Sequence, residues 1–270
     1  MSYSELLIVK FLVSTIIVLV LSFTAEYVSP KWAGVLSGFP TGSAITLHFY
    51  ALENGLKFAG ESAIYNMVGL VAMQMFIFCY YRSGLVVRHY KIIYSIIGGV
   101  LGYAGAVAIL SQIAFNPSFA VVIPIISIIS FKYAFAKINS STITEKKKPT
   151  LRMILGRAGL SAATICAITG LAKFVGSSWA GLFSAFPTTL FPLIIIIHFS
   201  YGEQHAHSII KHVPDGLGSL LIYSLILYLC YPEFSLYLGI LTAFAGALLY
   251  LAIYRIITVY ISNSRSNRLA

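Results

Sequence analysis

Charge is what this chain has least of. Of its 270 residues only 10% are Asp, Glu, Lys or Arg, while 59% are hydrophobic. A soluble domain carries roughly 25% charged residues. The mean hydropathy of +0.88 leaves too little polar surface to meet water, so a soluble enzyme is excluded. Disorder is excluded as well, because it needs low hydrophobicity and high charge. Cysteine is also scarce. Cys79, Cys166 and Cys230 fall inside apolar stretches and read as small hydrophobes, not as a disulfide or metal framework. Catalytic signatures are missing: there is no nucleophile elbow, no phosphate-binding glycine loop and no H-E-x-x-H. Without a nucleotide site a primary pump is disfavoured, and no paired carboxylates or Ser/His pair argue for an enzyme. No cofactor or metal is expected. The run Glu203, His205, His207, His212 invites a metal reading, but His205 and His207 do not share a helix face and no zinc-type spacing accompanies them.

What is present is apolar sequence in long runs. Nine segments stand out, at about 5–28, 32–52, 60–81, 92–112, 117–137, 152–175, 178–200, 208–231 and 235–260. Each is near the length of about 20 residues that spans a bilayer as a helix. The runs are continuous, which argues against a barrel. The first lacks a basic leader, since the first Lys is Lys10, so it does not read as a signal peptide. The net charge of +10 is placed unevenly. Arg82, Arg88 and Lys91, then Lys137, Lys146, Lys147, Lys148 and Arg152, then Arg255, Arg265 and Arg268 form three clusters. With nine spans all three fall on one side, as the positive-inside tendency requires. The expected topology has the N-terminus outside and the C-terminus in the cytoplasm. This distribution, not nucleic-acid binding, accounts for the charge.

An internal repeat is the strongest signal. Residues 25–41 read AEYVSPKWAGVLSGFPT and residues 172–188 read AKFVGSSWAGLFSAFPT, with nine of the seventeen positions identical at an offset of 147. Trp, Pro and Phe in register do not arise from apolar composition alone. Lys10 falls on Arg157 at the same offset, His48 on His198 and Glu53 on Glu203 at 150, and Asn66 on Asp215 at 149. Spans one to four thus repeat as spans six to nine, with span five as an extra linker that turns the second copy over. The expected organisation is repeat one over 1–114, a linker helix and basic loop over 115–151, and repeat two over 152–270. The fold class is an all-α polytopic bundle of about nine transmembrane helices in two inverted four-helix repeats, an architecture common among secondary transporters.

The stretch WAGVLSGFPTGSAITLHFY, residues 32–50, resembles the core of the GlpM-like family of small four-span inner-membrane proteins, which carry a similar aromatic-A-G, then F-P-T, then a His. Each half of the chain is similar to one such protein. The resemblance is specific around Trp32–Phe49 and Trp179–Phe199 and vague elsewhere. It implies a bacterial inner membrane and a pair of fused copies, and little about activity.

Pro40 and Pro187 sit eight residues into their spans, about 12 Å deep at the helical rise. A proline there removes one backbone bond and clashes with the carbonyl four residues back, here Leu36 and Phe183. Broken backbone at that depth is tolerated only inside protein or a watery cavity. Thr41 and Thr188 are placed to cap a restarted half-helix, whose electropositive start suits an anion. The competing reading is a simple kink, with Ala33, Gly34, Ser37 and Gly38 allowing close helix packing. The candidate substrate-binding residues are Pro40, Thr41, Ser43, Pro187, Thr188 and Thr189, with Lys10 and Arg157 as charge partners. A charge inside a span costs about 2.5–3.5 kcal/mol on insertion scales, although both residues lie near enough to a membrane face to snorkel. His48, His198 and Asp215 are the candidates for proton coupling.

These features lead to an expectation of a secondary transporter of a small anionic solute, a carboxylate or phosphorylated metabolite, working by alternating access. Alternatives are a translocase of a polar lipid headgroup, a non-transporting membrane subunit or assembly factor, and an ion channel. The expected partners are the solute and membrane lipids, with no nucleic acid; a homodimer stays open.

Overall fold

A chain this apolar satisfies its backbone in a bilayer only by bonding within each segment, which makes helices of the long runs. The computed structural model describes residues 8–9, 11–12, 15–16, 30–139 and 150–269. Its helices are α1 (Pro30–Ser37), α2 (Thr41–Asn54), α3 (Leu56–Val86), α4 (Lys91–Leu110), α5 (Pro117–Phe135), α6 (Leu151–Ser184), α7 (Leu190–Tyr201), α8 (Glu203–Cys230) and α9 (Leu236–Leu269). Among the described residues there is no strand. Five helices are long and apolar enough to cross a membrane: α3, α4, α5, α8 and, over Leu236–Tyr260, α9. The segments read at 32–52 and 178–200 are not continuous helices, because each breaks at its proline. The segment read at 5–28 lies largely outside the described residues.

Helices α3 and α8 form the inner pair, and α4, α5 and α9 the periphery. In the apolar windows of α3 and α8, 67% and 61% of residues are buried, against 22%, 22% and 17% in α4, α5 and α9. Met67, Leu70, Phe76 and Tyr80 of α3 and Leu217 of α8 are fully buried. The outer helices present Leu101, Ile126 and Leu241 outward, a surface that hydrocarbon solvates and water does not. The inner pair runs antiparallel, since Ser224 meets Asn66 at 2.7 Å while His207 meets Tyr81 at the other end. Helix α5 starts at Pro117, where Asn116 accepts a bond from the Phe119 amide at 3.0 Å, a side-chain cap followed by proline in the first turn. Gln74 donates to Ser127 at 2.8 Å and fastens α5 to α3.

The repeat is visible in the backbone. After α1, Gly38 N bonds Val35 O, Phe39 N bonds Leu36 O, Thr41 N bonds Phe39 O and Ala44 N bonds Pro40 O. After α6, Ala185 N bonds Leu182 O, Phe186 N bonds Phe183 O, Thr188 N bonds Phe186 O and Phe191 N bonds Pro187 O. Every donor and acceptor in the second set lies 147 residues after its counterpart. The carbonyls that each proline would orphan, Leu36 and Phe183, thus accept tighter three-residue bonds instead. Further on, Gly55 and Gly202 end α2 and α7 with φ of 89° and 91°, a conformation that favours glycine, and they too are 147 apart. A similar glycine, Gly176 with φ 77° and ψ 171°, divides α6 into two helical pieces.

The packing repeats in the same register. Helix α1 lies on α8, where a Cβ on Gly34 would meet Ile209 O at 2.5 Å and His212 Cβ at 2.8 Å, and Gly38 abuts Gly216. The last part of α6 lies on α3, where a Cβ on Gly181 would meet Ser62 O and Tyr65 Cβ, and Gly69 abuts Ala185. These are the same contacts moved by 147. The offsets of 150 and 149 read from matching side chains therefore do not hold in three dimensions. At 147 His198 answers to Ala51 and Asp215 to Val68. Backbone turns and close helix contacts fix the register, whereas isolated His or Asp matches slide freely along a helix.

One end of the bundle is basic. It gathers the end of α3, the starts of α4 and α8, and the end of α5, with Lys91 bound to Glu203 and Lys211 bound to Ile138 O at 2.6 Å. There Lys132 of α5 pairs with Asp215 of α8 at 2.7 Å, and His212 lies 3.4 Å from the same carboxylate. Side-chain exposure is 10% for Asp215 and 60% for Lys132. Lys132→Met should destabilise the protein by about 1–2 kcal/mol, because it leaves a buried carboxylate with only His212 and the Tyr254 hydroxyl as partners, while the lost lysine was itself mostly solvated. Adding Asp215→Asn should recover most of the loss. Thermal melting of the single and double variants checks this, and a double variant no better than the single would sink it.

Candidate functional site

The two backbone breaks meet. Gly42, second residue of α2, lies against the Thr188 side chain so closely that a Cβ there would collide with its hydroxyl. Thr188 is 2% exposed and its Oγ1 has no hydrogen-bond partner. At the start of α2 the amides of Gly42 and Ser43 fall outside any backbone bond, and at the start of α7 so do those of Thr189 and Leu190. Neither helix start carries a side-chain cap. The capping role expected of Thr41 and Thr188 is therefore not what the structure has: Thr41 is already the first helical residue, Pro40 holds the cap position, and Thr188 lies before the cap residue Thr189. Uncapped amides carry the positive end of each helix dipole.

Beside this contact lies a buried polar hub. Asn66 of α3 is fully buried. Its amide donates to Ser43 Oγ at 3.1 Å and Ser184 Oγ at 2.6 Å, and its carbonyl oxygen accepts from Ser224 Oγ at 2.7 Å. Ser43 in turn donates to Ser184 O at 2.8 Å, tying the start of α2 to the end of α6. Ser161 donates to Thr188 O at 2.6 Å, Tyr50 to Ala180 O at 3.0 Å and Tyr103 to Leu182 O at 2.5 Å. None of these side chains is charged. Such bonds fix geometry more than they stabilise, at about 0.6 kcal/mol each on average within membranes.

The predicted residues divide among several places. Thr41, Ser43 and Thr188 come together at the crossing, with Pro40, Pro187 and Thr189 in the chain segments that form it. Lys10 lies outside the described residues, as does the side chain of Arg157. His48 lines a groove of about 260 Å³ between α2 and α9 that also includes Thr41, Ile45, Tyr237, Ile240 and Phe244. His198 is elsewhere, at the basic end, with Nδ1 2.9 Å from the Tyr80 hydroxyl. Asp215 belongs to the ion pair with Lys132. The three proton-coupling candidates therefore share no site.

Asn66, Ser184 and Ser224 went unnoticed as a hub. At the 147-residue offset their counterparts are Val213, Ser37 and Ile77, so the network has no duplicate at that offset, and comparing the copies directs attention to shared residues. Fold and crossing together define a helical membrane protein with two interrupted helices meeting at a neutral polar core. No family model, curated protein or solved structure matches the chain.

Proposed function

We propose that this chain is a secondary transporter of a small anionic solute in a bacterial inner membrane. In this reading it has nine crossings in two inverted repeats, the N-terminus outside, the C-terminus cytoplasmic, and α5 as linker. Helices α1 and α2 together make one interrupted crossing, and the last part of α6 with α7 makes another. The recurrence of turn bonds and helix contacts at a single offset supports the two-copy architecture, and the crossing of two opposed interrupted helices supports a site between them. One observation carries the anion reading: the unpartnered Thr188 hydroxyl stands between two uncapped helix starts, which together offer one O–H and four free amides to an acceptor. Lys10 and Arg157 remain the proposed charge partners. A second reading, translocation of an anionic lipid headgroup, is favoured by the apolar groove between α2 and α9, which reaches Thr41 and would take a hydrocarbon tail.

Melting temperature against a panel of carboxylates, phosphorylated metabolites, amines and anionic lipids tests both. A ligand held at a hundred times its Kd adds about 2.7 kcal/mol to the folded state. The expected result is stabilisation by one class of small anion, lost in Thr188→Val. Without ligand that variant should melt at or above the wild type, because the hydroxyl it removes is buried and makes no bond. Stabilisation by lipid alone would support the headgroup reading, and stabilisation by no anion, or unaltered in Thr188→Val, would overturn the site.

A further inference from the structure

Away from the crossing, the densest group of titratable side chains lies at the basic end, around a cavity of about 690 Å³ lined by Tyr90, Lys91, His198, Phe199 and Glu203 among others. Lys91 opens α4 and Glu203 opens α8. Lys91 Nζ holds both carboxylate oxygens of Glu203, at 2.7 and 2.8 Å, so the pair ties the ends of two helices. Tyr90, just before Lys91, is the sole non-glycine residue with positive φ among those described, at 56°. That left-handed conformation is strained for a bulky side chain and sets the lysine at the mouth of the cavity.

Two histidines stand behind the ion pair. His198 is 5% exposed and bonded to Tyr80. His207 is 6% exposed, and its Nε2 is buried without a partner. Their ring centroids are 6.5 Å apart, and His207 packs edge-on to Tyr81 at 4.6 Å. The charged groups that act on both rings are Glu203 and Lys91. From α3 they face Tyr80 and Tyr81, and His205 turns away to the carbonyl of Tyr201 at 2.7 Å. Imidazole is the side chain whose ordinary range lets it take up a proton near neutral pH, so a proton is a ligand this pair can take.

We propose that His198 and His207 form a proton-loading site that operates the Lys91–Glu203 pair as a latch. One carboxylate here serves two rival cations. With both imidazoles neutral, Glu203 is satisfied by Lys91 and the helix ends are tied. A proton taken from solvent at the basic end forms an N–H bond on whichever His207 ring nitrogen lacks one, and no group leaves. The imidazolium is then the less hydrated cation, on a residue 6% exposed against the partly exposed Lys91. Glu203 turns to it, Lys91 goes to water, and the ends of α4 and α8 part. The latch needs no solute, so its failure would leave the reading of the crossing untouched.

Hydrogen exchange of the full chain in nanodiscs, at pH 8 and pH 5.5 and corrected for intrinsic rates, tests it over 86–95 and 198–207. In the wild type, protection should fall roughly tenfold or more at the lower pH. His198→Gln/His207→Gln should stay protected at both, and Lys91→Met should be unprotected at both. If the double variant does not fold, His207→Phe, which keeps a ring against Tyr81, gives the same reading. A wild type indifferent to pH, a pH step that survives in the histidine variant, or a Lys91→Met protein still protected at pH 8 would each overturn the proposal.

Discussion

Gly38→Val should destabilise the folded state strongly, lowering the melting temperature by roughly 10 °C. The argument is steric. A Cβ at Gly38 would lie 2.6 Å from Leu217 N and closer still to the carbonyl carbon of Gly216. Both are backbone atoms of an inner helix, so no side chain can rotate away. Relief requires α1 to lift off α8, and α1 leads directly into the break that positions Gly42 and Ser43. Overpacking a rigid core costs about 1–3 kcal/mol and sometimes more, and each kcal/mol moves the melting point by about 2–4 °C in a chain of this size. With backbone on both sides the upper part of that range applies. Gly105 is the control, since a Cβ there meets nothing within 4 Å. In the middle of α4, Gly105→Ala should be neutral or slightly stabilising, because alanine favours a helix by about 1 kcal/mol over glycine. A Gly38→Val protein that melts like the wild type would show that α1 does not sit on α8 as described.

Which parts of the molecule were legible in the sequence follows from what imposes each one. The interruptions at Pro40 and Pro187 were readable because proline acts locally: a missing donor and a ring clash break the helix whatever surrounds it. The W-A-G motif was readable twice over, and Gly34 and Gly181 do pack against partner helices. The register beyond the motif was not, since a like residue two or three positions away on a helix looks as good a match as the true one. His198 and Asp215 were paired with the wrong counterparts for that reason. Asn66 could be noticed but not understood. Its partners Ser43, Ser184 and Ser224 are 23, 118 and 158 residues away in the chain, and only the crossing brings them together. Lys132 was hidden differently. One lysine near the end of an apolar span reads as interfacial, and nothing in the sequence joins it to Asp215.

Asn66→Asp should cost more than Asn66→Leu, and Asn66→Leu more than Ser224→Ala. This order is the reverse of what side-chain similarity suggests. The Asn66 amide supplies two donors, to Ser43 and Ser184, whose own hydrogens already go to Ser184 O and Gly181 O. A carboxylate there places an acceptor against two spent hydroxyls and a charge deep in the bundle, which alone costs about 2.5–3.5 kcal/mol. A protonated carboxyl has one hydrogen for two acceptors and still leaves one contact repulsive. Leucine loses three bonds, about 2 kcal/mol in all at the average found within membranes. Ser224→Ala loses one and leaves a single oxygen unsatisfied, about 1 kcal/mol. Melting temperatures of the three variants give the order, and Asn66→Asp melting above Asn66→Leu would sink the assignment of the amide donors. The same accounting bears on the crossing as a site. The hub consumes its donors internally, so it competes for no ligand. The acceptor-seeking groups left over are the amides of Gly42, Ser43, Thr189 and Leu190 and the Thr188 hydroxyl. The self-satisfied hub therefore lies next to donors that the protein itself leaves unsatisfied, which are the groups that the anion proposed above would need.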